Sequence, residues 1–64
     1  MGYSIGDNIE VVVGNKKYNG LILDIKDNIL TVIYVGKNNN GSAFAITDLF
    51  DINGVLIDSW LFDD

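Results

Sequence analysis

Sixty-four residues make one domain, and a chain this short buries only ~60% of the surface that its unfolded form exposes. It has no Cys and no His, which excludes disulfides, thiolate and imidazole metal sites, and imidazole catalysis. Its 48% apolar and 20% charged residues suffice to order a core, and a formal net charge of −5 opposes nucleic-acid backbones while suiting a basic protein surface.

In chain order, the first strand signal is residues 9–13, where Ile9, Val11 and Val13 share a face between the turn pairs Gly6-Asp7 and Gly14-Asn15. A second strand is expected over residues 18–25, with Leu21, Leu23 and Ile25 on one face and Asp24 on the other. Gly20 inside it predicts a bulge or a sharp bend. Lys26-Asp27-Asn28 is a tight connection to a third strand over residues 29–35. Residues 36–42 form a polar loop, followed by a short fourth strand over residues 43–46. Thr47-Asp48 then predicts a capped helical turn over residues 48–51. Asn53-Gly54, between Ile52 and Val55, is a strong two-residue hairpin signal, and the last strand is expected from Val55 to about Leu61. The fold class is therefore all-β: one domain over residues 1–64, about five antiparallel strands, and a short helical turn before the last.

Gly6-Asp7-Asn8-Ile9-Glu10-Val11-Val12-Val13-Gly14, followed by Gly20-Leu21-Ile22-Leu23-Asp24-Ile25, resembles the opening hairpin of a KOW, tudor or other SH3-like small barrel. Thr47-Asp48-Leu49 is similar to the helical turn before the final strand of such modules. The resemblance implies a fold and no particular activity. KOW modules on ribosomal RNA are usually basic, whereas this chain is acidic. Asn15-Lys16-Lys17-Tyr18-Asn19-Gly20 resembles an Sm first motif, but no Arg-Gly or Lys-Gly pair stands before the last strand. A tudor-type cage for a cation would draw on Tyr3, Tyr18, Tyr34 and Trp60, but three tyrosines in a β-rich domain are more often packing residues.

Charge is unevenly placed. Residues 1–37 hold four acids (Asp7, Glu10, Asp24, Asp27) and four lysines (Lys16, Lys17, Lys26, Lys37), whereas residues 38–64 hold five Asp and no base. Four lysines without Arg give weak phosphate binding and no base reading, so a nucleic-acid partner is not expected. Frequent Asn, Ile and Lys, with no Pro, Arg, His or Gln, match A/T-rich codons and point to an AT-rich bacterium or its phage. The longest apolar run is four residues, against the ~20 of a membrane helix, and the start Met1-Gly2-Tyr3-Ser4 carries no signal core. A cytoplasmic location is expected.

No catalytic constellation is visible. Ser4, Ser42 and Ser59 sit in no nucleophile elbow, and the spacing of Asp48 and Asp51, the one candidate acid–base pair, fits a capped turn equally. Aligning Asn53-Gly54 on a calcium loop puts Leu49 and Trp60 at positions that require acids. Neither an enzyme nor a cofactor is expected.

Surplus hydrophobicity remains. The third strand is apolar on both faces, with Ile29, Ile33 and Val35 opposed to Leu30, Val32 and Tyr34. The C-terminal stretch is similar, with Val55, Ile57 and Leu61 opposed to Leu56, Trp60 and Phe62. A barrel strand has one inside face, so the other requires a cover, either the chain's own tail or a partner. Tyr34, Trp60 and Phe62 are the expected anchors of a partner or oligomer interface, with Leu30, Val32 and Asp58 beside them. The expectation is a non-catalytic module that docks on a protein, in the manner of a phage or mobile-element inhibitor such as an anti-defence protein. One alternative is a homo-oligomer holding a small ligand, such as a nucleotide signal, at the loop Lys37, Asn38, Asn39 and Asn40; another, which the charge disfavours, is a KOW- or Sm-like nucleic-acid-binding module.

Overall fold

The computed structural model describes residues 2–59 and, within them, side chains through Ile57. Five strands, β1 (Asn8–Val13), β2 (Lys16–Lys26), β3 (Ile29–Lys37), β4 (Ala43–Asp51) and β5 (Leu56–Ser59), form one sheet in chain order. Every neighbouring pair is antiparallel. The sheet curls into a half-barrel, in keeping with the small SH3-like barrel that the resemblance implies, and no helix occurs among the described residues.

Alternation sets the inside. Ile9 and Val11 of β1, Ile22 of β2, Leu30, Val32 and Tyr34 of β3, and Ile46 and Phe50 of β4 make the core. Val13, Tyr18, Ile25 and Leu56 pack against it at the margins. Two expectations about faces need correction. On β2 the inward residues are Gly20, Ile22 and Ile25, while Leu21 and Leu23 are exposed. The register slips between Ile22 and Asp24, so Leu23 is the extra residue of a bulge that reverses the alternation beyond it. The bulge thus lies three residues past Gly20. Gly20 serves close approach instead: a Cβ there would stand 2.3 Å from Cγ1 of Val32.

The second correction concerns residues 48–51, which continue β4 and are not a helical turn. Each of them pairs with β3, through Val32↔Asp48, Thr31↔Leu49, Leu30↔Phe50 and Ile29↔Asp51. Nine cross-strand pairs outcompete a cap worth about 1 kcal/mol. Asp51 still acts as a turn former. Its Oδ1 accepts hydrogen bonds from the backbone N–H groups of Asn53 (2.8 Å) and Val55 (3.0 Å), and its own N–H donates to the Val55 carbonyl. Residues 51–55 thereby form the hairpin signalled by Asn53-Gly54.

That hairpin also draws the sheet shut. The Val12 N–H donates to the Gly54 carbonyl at 2.7 Å, and Val12 bridges Val55 in parallel, so the first strand meets the last. Gly54 has φ +80, and a Cβ on it would stand 2.5 Å from the Glu10 carbonyl oxygen. Gly14 has φ +64 but open space around it. Gly14→Ala is therefore expected to cost only the left-handed strain, about 1 kcal/mol, and Gly54→Ala distinctly more because backbone blocks the methyl. Equal losses in urea melts of the two variants would show that the seam at Val12 is not closed.

Candidate functional site

β3 carries three of the residues expected at an interface. Leu30, Val32 and Tyr34 are at most 2% exposed, which corrects their expected place at an interface. They face the concave side because their cross-strand partners Ile22, Ile46 and Phe50 also point there. The residues left outside are Ile29, Thr31, Ile33 and Val35. Asp58 stands opposite Leu49 in the β4–β5 register, and Trp60 and Phe62 lie outside the described residues.

Among the described residues, the inner face carries one buried acid. Asp48 is fully buried, opposite Val32, and the Tyr34 hydroxyl donates to its Oδ2 at 2.5 Å. The Tyr34 ring lies 4.9 Å from that of Tyr18 and meets Phe50 edge-on at 5.9 Å. Burial raises the Tyr34 phenol well above its usual 10.0, and the hydrogen bond to Asp48 and that acid's charge push the same way, with Tyr18 adding to the rise. Tyr34 is thus a satisfied core residue rather than part of an exposed cage. Asp48 and Asp51 do not form an acid–base pair, because residues three apart on a strand face opposite sides.

The outer face of β2, β3 and β4 is the unfilled one. Cross-strand pairing sets Leu21 beside Ile33 and Thr47, Val35 beside Ala45, and Thr31 beside Leu49. Val35 is 58% exposed, Leu23 44% and Leu21 40%. At one end the strip runs into a shallow hollow of about 250 Å³, where Asp24, Asp27 and Lys26 surround Ile29, Thr31 and Leu49. Lys37 closes the other end.

The lysines do not form one patch. Antiparallel order places Lys16, Lys17 and Lys37 at one end of the sheet and Lys26 at the other. In the loop, Asn38 Oδ1 accepts from the N–H groups of Asn40 and Ser42, and Asn40 Oδ1 also accepts from Ser42 N–H. These carbonyls hold the loop together, and Lys37, Asn38, Asn39 and Asn40 all remain exposed. The exposed odd positions of β3 were open to sequence reasoning; the missing signal was which of two equally apolar faces turns inward.

The fold and this surface define the class: a small β-barrel with a filled interior and an apolar outer sheet face. Compared with protein-family models, curated proteins and solved structures, the chain matches none.

Because the Tyr34 phenol is harder to ionise in the folded chain than in the unfolded one, its contribution to stability persists below about pH 10 and falls as pH rises further. Tyr34→Phe is expected to remove that alkaline loss and to cost about 1–3 kcal/mol at neutral pH, since Asp48 loses a buried donor. An unchanged alkaline profile in urea melts of the variant would contradict this assignment.

Proposed function

We propose that the protein is a non-catalytic binding module that docks on another protein through the outer face of β2, β3 and β4. The observation that carries this reading is the outward apolar strip, with Leu21 and Val35 exposed and Ile33 and Leu49 half-buried, lying behind a core that is already full. An apolar strip on a short chain with only 20% charged residues costs solubility unless something covers it. Its acidic end supports a basic partner: a Lys or Arg side chain would meet Asp24 and Asp27, with Lys26 offsetting one of the two charges. The net charge of −5 adds long-range attraction in the same direction.

Residue usage favours a bacterial or phage setting. Such a module would work by occupying a basic, nucleic-acid-binding surface of its partner, as an inhibitor does. No helix among the described residues is long and apolar enough to cross a membrane. Self-association through the same face is the alternative use of the strip, and light scattering separates the two.

The test is affinity capture from a bacterial lysate with the natural chain and with a Leu21→Glu/Val35→Glu double variant of matched melting temperature. Both side chains are exposed, so the fold tolerates the change. A basic protein retained by the natural chain and weakened about tenfold or more by the variant is expected. Identical captures by both chains would refute docking at this face.

A further inference from the structure

At the end of the half-barrel away from Lys37 lies a cavity of about 550 Å³, within the ~300–1,000 Å³ typical of small-molecule sites. Its floor is Leu30, with Ile25 and Ile52 as apolar walls. Tyr3, Asp7, Asn8 and Asn28 supply the polar rim. Asp7 is the one charged side chain among these lining residues, so the site presents a single negative charge and no base.

Hydrogen bonds hold the walls in place. The Gly6 N–H donates to the Ile22 carbonyl (2.8 Å), and the Ile22 N–H donates back to the Asp7 carbonyl (2.9 Å), pinning the N-terminal segment to β2. Asp7 Oδ2 accepts from the Ser4 N–H at 2.9 Å, which fixes the carboxylate while leaving it further acceptor capacity. Asp27 and Asn28 have φ 52 and 65, the two left-handed residues of a tight hairpin turn, which sets Asn28 on the rim. Tyr3 and Ile52 stay 43% and 50% exposed at the mouth, apolar surface that a ligand body would cover.

We propose that this cavity binds an organic cation, an ammonium or guanidinium head on an apolar stem. The head meets Asp7 and the amide oxygens of Asn8 and Asn28, and the stem lies against Leu30, Ile25 and Ile52. Anions are refused, because no lining residue offsets Asp7. The site lies apart from the outer sheet face, and its failure leaves the docking reading untouched.

Two sources supply this chemistry, a free amine or the side chain of a basic protein, and titrations of the natural chain followed by amide NMR distinguish them. Phenethylammonium probes the first and N-acetyl-lysine methylamide the second, with phenylpropionate as the anionic control. Saturable shifts at Asp7, Asn8 and Asn28 with one or both cations are expected, with Kd on the order of 1 mM. The control should produce none. Asp7→Asn keeps an acceptor for Ser4 N–H and should weaken the cation by up to about fivefold. Ile52→Ala should weaken phenethylammonium without altering the fold. Absence of saturation by both cations, equal binding of the anion, or an unchanged affinity in both variants would overturn the site.

Discussion

The close approach of β3 to β2 at Gly20 is the constraint on which the architecture turns. Val32 occupies the space where a side chain of residue 20 would begin, with Cγ1 only 2.3 Å from that position. The two strands close on each other there, and the bulge at Leu23 adds local twist a few residues on. The concave side becomes deep enough to bury Val11, Ile22, Leu30, Val32 and Phe50 almost completely. A flat sheet of the same strands would leave much of that surface in water. The Val12–Gly54 hydrogen bond then fastens the free edges.

Within that interior, Asp48 and Tyr34 trade stability for register. An acid at the centre of a small core is costly to bury, and Tyr34 supplies a donor to it across β3 and β4. A slip of one residue between these strands would bring Thr47 and Leu49 inward and expose Asp48, Ile46 and Phe50. The Tyr34 hydroxyl would then lose its acceptor. The aromatic contacts of Tyr34 with Tyr18 and Phe50 fix the ring in the position the hydrogen bond requires. One buried polar contact thus selects between two otherwise similar apolar alternations.

Filling the interior with one side of β3 leaves the other side apolar and outward. Three of the residues expected at an interface, Leu30, Val32 and Tyr34, complete the core instead, and the proposed docking face is the outer one that carries Leu21, Ile33 and Val35. Charge follows the strand axis of the same face, acids beside Ile29 and Leu49 and Lys37 at the far end. A partner would therefore be oriented as well as attracted.

The sequence by itself determined the all-β class, the hairpins at residues 14–15, 27–28 and 53–54, and the polar loop after β3. Turn chemistry and period-two patterning are local, so they are legible without neighbours. It also determined that β3 had one apolar face too many. Tertiary structure decided the rest. Thr47-Asp48 reads identically as a helix cap and as part of a strand with an inward acid, and only pairing along β3 separates the two. The inward side of β3 could not be chosen from a pattern apolar on both faces, and the Leu23 bulge that reverses β2 has no signature of its own. Each depends on which strands lie alongside, because burial in a sheet is settled by cross-strand neighbours rather than by the residue itself.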